Sequence, residues 1–132
     1  MKYLLDTNMC IYAQKKNQKV LLKIHENLQD GLAISSITLA ELEYGVQASE
    51  SFQKNALALH NFISIVNVLS FDIMAASEYG KIRAYLRKKG TPIGVMDMLI
   101  AAHARSENMI LVTNNVREFE RVPDLIIENW VE

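Results

Sequence analysis

The chain has 132 residues, half of them hydrophobic and 22% charged, with a net charge of −1 at neutral pH. That length supports one domain, residues 1–132, burying roughly two thirds of its unfolded surface, and the balance excludes a disordered or fibrous chain and an indiscriminate binder of polyanions. No apolar run approaches a membrane span and Met1-Lys2-Tyr3-Leu4-Leu5-Asp6 contains no signal-peptide core, so the expectation is a soluble, cytoplasmic protein.

In chain order, the apolar run at 2–5 predicts a first strand whose carboxyl end delivers Asp6, followed by Thr7-Asn8 and a helix over 8–14. The lone Cys10 on that helix has no disulfide partner and no zinc spacing, and reads as a small buried side chain. Lys15, Lys16, Lys19 and Lys23 crowd the exit of this helix and the next, over 19–28. A strand at 32–34 leads through Ser35-Ser36 into a helix over 37–48 that carries Glu41 and Glu43. A helix over 52–63, a strand at 65–69 and a helix over 72–88 follow, the last ending in Lys81, Arg83, Arg87, Lys88 and Lys89. Gly90-Thr91-Pro92-Ile93-Gly94 breaks the chain before a helix over 95–106, with Asp97 in its first turn. A strand at 109–112 opens Thr113-Asn114-Asn115, a short helical turn near 115–120 includes Glu118, and a strand at 125–127 completes the pattern. Short apolar runs alternating with helical periods predict a parallel sheet with crossover helices, an α/β/α three-layer sandwich.

Three carboxylates, Asp6, Glu41 and Asp97, stand where a strand ends or a helix begins, which is where open α/β sheets place ligands. If they converge, their repulsion calls for a hard cation. Each also has a structural reading. Asp6 can cap the helix behind it, and Asp97 suits the positive end of its helix dipole. Glu41 and Glu43 point about 200° apart on one helix, so only one faces a site. The stripe Ile37, Glu41, Tyr44, Ala48 reads as inward and selects Glu41; Glu43 groups with Gln47 and Glu50 on the solvent side. A fourth corner is open between Asn115, which could position a metal-bound water, and Glu118, which could add a carboxylate.

Other chemistries find little support. His25, His60 and His103 share no metal-ligand spacing and read as surface or satisfied core side chains. Gly90 and Gly94 lack the context of a phosphate loop. Ser35 and Ser36 have no nucleophilic framework and are assigned to capping the Glu41 helix, while Trp130 and the scattered tyrosines form no stacking platform for single strands.

Taken together, Leu4-Leu5-Asp6-Thr7-Asn8, Ile34-Ser35-Ser36-Ile37-Thr38-Leu39-Ala40-Glu41-Leu42, Gly90-Thr91-Pro92-Ile93-Gly94 with Asp97 and Ile100-Ala101, and Val112-Thr113-Asn114-Asn115 with Arg117-Glu118-Phe119 resemble the PIN-domain family. Within it, the chain is most similar to the VapC-type toxins of bacterial toxin–antitoxin modules, from Leu4 to Trp130. The resemblance implies Mg²⁺, or Mn²⁺ in its place, on Asp6, Glu41 and Asp97. The family's fourth acid falls on Glu118, with Asn115 where some members have Asp, so one-metal and two-metal sites both stay open. A second departure is Val95-Met96, where close relatives often carry Pro and an aromatic residue. Also implied are cleavage of structured RNA, with tRNA anticodon loops including initiator tRNA as the target class, products with a 5′-phosphate and a 3′-hydroxyl, and a homodimer. A VapB-like antitoxin would inhibit it in a hetero-oligomer, its C-terminal tail lying across the active-site groove. The expected activity is metal-assisted phosphodiester hydrolysis. Two rivals remain: a haloacid dehalogenase-like phosphatase, which needs a second Asp where this chain has Asn8, and a non-catalytic PIN-like binding module.

Overall fold

A computed structural model describes residues 2–132. The strands are β1 (Tyr3–Leu5), β2 (Leu32–Ser35), β3 (Asn67–Leu69), β4 (Ile110–Val112) and β5 (Ile127–Glu128). Among the described residues they form one sheet in the order β3-β2-β1-β4-β5, every pair parallel. The register sets Tyr3 beside Leu32 on one side and Ile110 on the other, and Leu5 beside Val112.

Because successive strand side chains point to opposite faces, this register sorts the apolar residues into two cores. Tyr3, Leu5, Leu32, Ile34 and Val112 meet α1 (Thr7–Gln14), α2 (Gln18–Asn27), α3 (Ser36–Gln47) and α4 (Phe52–Ile63) through Met9, Val20, Leu42 and Phe62. Leu4, Ala33 and Leu111 meet α5 (Ile73–Lys89), α6 (Val95–Ser106) and α7 (Val116–Phe119) through Ile82, Leu86, Ile100 and Phe119. The expected three layers follow, with the inner strands β2, β1 and β4 apolar apart from Ser35, as burial on both faces demands, and the edge strands β3 and β5 more exposed and partly polar. Cys10 is buried on α1 and Trp130 is a core residue, edge-on to Tyr3 at 5.2 Å.

The chain lays β1, β2 and β3 outward in one direction and then crosses back to place β4 on the other flank of β1. The crevice above the carboxyl ends of β1 and β4 is therefore the switch point of the sheet, where neighbouring connections diverge and leave room for a ligand. Asp6 follows β1 there and Thr113 follows β4, and the Asp6 amide still donates to the Val112 carbonyl at 3.0 Å. Most boundaries match the sequence pattern to within one residue, and two strands begin two residues later than it. β3 begins at Asn67 because the amides of Ile65 and Val66 turn back to the carbonyls of Phe62 and Ile63, closing α4. β5 begins at Ile127 because Leu125 packs beside the α5–α7 core ahead of the strand.

The predicted break between α5 and α6 is made by Gly90, at φ 71°, with the Thr91 amide closing onto the Leu86 carbonyl at 3.0 Å. A side chain at that backbone angle is strained although the space around it is open. Gly90→Ala should therefore cost about 1 kcal/mol of stability with no change of fold, measured by urea melts; an unchanged midpoint would show that α5 does not need the left-handed cap.

Candidate active site

Asp6 leaves β1 with extended backbone angles and is 5% exposed. One carboxylate oxygen accepts from the Met9 amide at 2.8 Å, capping α1, and the other accepts from the Thr113 hydroxyl at 2.5 Å. The capping reading of this residue is realised while its second oxygen stays engaged by Thr113. Burial pushes its pKa up to about 6, against the hydrogen bonds from Thr113 and Met9, and the charges of Asp97 and Glu41 push the same way as burial. Thr113 is itself fully buried and its hydroxyl oxygen accepts from the Asn115 amide at 2.9 Å, so the turn after β4 and the acid after β1 are locked together.

Glu41 is half-buried on α3, its Oε1 accepting from the Thr7 hydroxyl at 2.5 Å. The buried face of α3 is Thr38, Leu42 and Val46, however, and Tyr44 is 74% exposed. The inward stripe drawn through Ile37, Glu41, Tyr44 and Ala48 is corrected: Glu41 stands at the margin of the buried face. Small and apolar residues occur all round this helix, so periodicity gave the pitch but misplaced the phase. Glu43 is exposed, as expected.

Asp97 is half-buried in the first turn of α6, whose residues Met98 and Ile100 to Ala104 are buried. Desolvation, then the charges of Glu41 and Glu118, raise its pKa. The Asn115 side-chain amide reaches to 3.4 Å from it, and Glu118, half-buried in α7, is close enough to act on it electrically. All five predicted residues therefore belong to one neighbourhood at the sheet's switch point.

Among the described residues no three His, Cys, Asp or Glu side chains stand close enough to grip one ion as placed. Thr7 and Thr113 each donate to a carboxylate oxygen, of Glu41 and Asp6 respectively. The donor set nevertheless fits a hard divalent cation, being oxygen throughout with carboxylates that destabilise one another. The two threonines were not singled out from sequence. Their signal was a hydroxyl residue directly after the first acid and another directly after a strand.

Ser35 accepts from the Ile37 amide at 3.1 Å and caps α3 as expected, whereas Ser36 accepts from the Phe71 amide. His25 and His60 are exposed, but His103 is fully buried, Nδ1 2.7 Å from the Ser35 hydroxyl and Nε2 without a partner. It is a core histidine satisfied on one side only, tying α6 to the start of α3. Glu41 also lines a groove of about 640 Å³ between α1, α3 and α4, floored by Leu42, Val46 and Ala58 and edged by Lys15, Lys16 and Lys54. Lys19 and Lys23 of the same predicted cluster are exposed on α2 outside it.

With this geometry established, the PIN domain family matches residues 3–125. The chain is 45% identical over 131 residues to the tRNA(fMet)-specific endonuclease VapC of Shigella flexneri, covering 98% of each. It superimposes with a TM-score of 0.95 on a chain of VapBC2 from Rickettsia felis bound to a DNA fragment from their promoter, at 43% identity, covering 98% of this chain and 99% of that one. A chain of DNA-bound VapBC from Salmonella typhimurium gives a TM-score of 0.94 at 45% identity, covering 98% of each.

A carboxyl held at about 6 instead of 3.8 weakens the metal-free fold near neutral pH by on the order of 3 kcal/mol. Between those two values the folded state binds more protons than the unfolded state, so stability falls as pH rises through the window. Asn can keep both the cap and a bond to Thr113. Asp6→Asn should accordingly raise the metal-free Tm near neutral pH by several degrees, a gain that vanishes toward about pH 4. A loss of Tm at every pH would mean that the Asp6 carboxylate stabilises the fold.

Proposed function

The chain belongs to the PIN-domain family, and from that premise we propose that it is a VapC-type endoribonuclease toxin working with a divalent cation held by Asp6, Glu41 and Asp97. The observation that carries the reading is the buried Asp6 carboxylate at the switch point, facing the charges of Asp97 and Glu41 in an all-oxygen setting. Bound there, Mg²⁺, or Mn²⁺ in its place, neutralises charge on a phosphate and lowers the pKa of a water molecule.

The chain's own residues supply the order. Thr113 and the Met9 amide hold Asp6 in a single orientation, and Thr7 holds Glu41, so the carboxylates meet their ligand with little rotamer entropy left to lose. Asn115, pinned through its amide to Thr113, presents its side-chain N–H beside Asp97, where it can orient a water or a phosphate oxygen. Glu118 stands as the candidate fourth acid. The phosphatase alternative loses its footing because Asn8, where a second acid would be required, is exposed on α1.

The substrate proposed is tRNA, with the anticodon loop of initiator tRNA first among candidates, since the Shigella flexneri relative bears that specificity in its name. The partner proposed is a VapB-like antitoxin, in keeping with the VapBC assemblies of the structural relatives. Its tail would lie along the Glu41 groove, whose apolar floor and polar edges suit an amphipathic segment. We further propose a homodimer acting in the cytoplasm as a single 132-residue domain; among the described residues no helix is long and apolar enough to cross a membrane.

Purified protein with Mg²⁺ should cleave initiator tRNA and lose cleavage with chelator, and Asp97→Asn should reduce the rate by about 100-fold or more, while Glu43→Gln leaves it unchanged. Full activity in Asp97→Asn would remove that acid from the centre. For the fourth corner, a rate loss in Glu118→Gln larger than in Asn115→Ala, with fewer Mn²⁺ ions bound by calorimetry, supports a second ion at Glu118. The opposite order with unchanged stoichiometry supports one ion and a water held by Asn115. Mg²⁺ should also raise the Tm of the wild type and not that of Asp6→Asn; equal shifts would place the ion elsewhere.

A further inference from the structure

We propose that a second groove, at the α5–α6 tip, carries the RNA strand beside the cleaved phosphate, with Arg83 and Arg87 as its phosphate contacts. This rests on the proposed ribonuclease activity and adds to it a substrate track. The groove, of about 430 Å³, is walled by Arg83 and Arg87 on α5 and floored by Pro92, Ile93, Val95 and Met98.

Three observations point to a nucleic-acid strand. Arg83 and Arg87 are four residues apart and therefore lie on one face of α5. Both are exposed, and neither joins an ion pair among the described residues; Arg83 is steadied by the Tyr79 hydroxyl at 2.6 Å. Two guanidinium groups along an apolar floor, with no carboxylate in the lining, complement a phosphate backbone whose bases or riboses pack against Val95 and Pro92.

The second observation is continuity with the acid centre. Val95, in the groove, and Asp97, in the centre, occupy the same first turn of α6 on roughly opposite sides of it. Gly94 precedes both, is exposed, and lies against the centre, since a Cβ there would stand 3.5 Å from the Asp97 carboxylate; it has no side chain to obstruct a strand. Third, the loop forming this saddle is anchored, since Arg121 beyond α7 donates to the Pro92 carbonyl at 3.0 Å. Elsewhere in the basic cluster, Lys81 pairs with Glu78 at 3.6 Å, Lys88 is exposed, and Lys89 lies over the Tyr85 ring at 5.8 Å, much as Arg83 lies over the Tyr79 ring at 5.9 Å. What separates Arg83 and Arg87 from the neighbours that the sequence grouped with them is position: they line the groove, and Lys81, Lys88 and Lys89 do not.

The test compares Arg83→Gln/Arg87→Gln with Lys88→Gln/Lys89→Gln in the full chain, each checked for an unchanged melt. Initiator tRNA is the probe, in cleavage kinetics with Mg²⁺ and in anisotropy binding with chelator over a salt series. The arginine pair should raise KM about tenfold with kcat within about twofold, and lower the slope of log affinity against log salt by about 1.5 to 2; the lysine pair should do neither. Equal losses in both pairs would reduce the effect to diffuse charge and overturn the track. So would a fall in kcat alone, or normal RNA binding together with lost inhibition by a cognate antitoxin, which would assign the groove to the protein partner. If the wild type neither binds nor cleaves tRNA, the ribonuclease reading itself has failed, an outcome distinct from an arginine pair that behaves like wild type.

Discussion

The interaction on which the rest of this structure depends is the buried hydrogen bond between Thr113 and Asp6. It joins the ends of the two paired strands, β1 and β4, that flank the switch point of the sheet. A carboxylate with 5% of its surface exposed is costly. Two donors, the Thr113 hydroxyl and the Met9 amide, offset part of that cost without restoring the ordinary pKa. What remains is a buried acid held above its ordinary pKa at the carboxyl end of the central strand. Residues chosen for stability alone would place an uncharged cap at this position, so the residual cost is itself an argument for a ligand.

The other acids reach the centre on elements with independent reasons to lie there. α6 is buried over Met98 and Ile100 to Ala104, so its depth is set by the core and Asp97 is carried in with it. α3 packs on the opposite face of the sheet through Thr38, Leu42 and Val46. The bond from His103 to Ser35 crosses between them, linking the helix that bears Asp97 to the cap of the helix that bears Glu41. An unsatisfied buried Nε2 costs about 1–3 kcal/mol. A leucine would fill the space without that cost, but it could not tie α6 to the start of α3.

Much of this was legible in the sequence because the relevant signals are local. Strands β1, β2 and β4 are short runs of Leu, Ile, Val and Ala ended by polar residues, and the α5–α6 break is written in Gly90 and Pro92. Asp6, Asp97 and Asn115 stood out because each lies within three residues of a strand's end or of the Gly94 that closes the break. The phase of α3 was not legible: Ala40, Tyr44, Gly45 and Ala48 mimic a buried stripe in composition, and only packing against α1 and α4 shows that Leu42 and Val46 face inward. The threonine locks were hidden for a different reason. Thr7 and Glu41 are 34 positions apart and Thr113 and Asp6 are 107 apart, so no local pattern connects them. The two basic clusters were visible as composition, but only the fold divides them into residues that border a groove and residues that face open solvent.

That division resolves an apparent conflict between a net charge of −1 and a polyanionic substrate. Net charge governs long-range attraction, whereas binding at the surface follows local potential within about a Debye length, roughly 8 Å at physiological salt. Here the negative charge that matters is concentrated in Asp6, Glu41, Asp97 and Glu118, where a divalent cation would offset about half of the formal charge. The neighbouring grooves are edged by Lys15, Lys16 and Lys54 on one side and by Arg83 and Arg87 on the other. Without a cation the centre repels the phosphate that its flanks attract. A cation held there would lessen that repulsion, so on the proposed function the flanks hold the strand and the filled centre would no longer work against them.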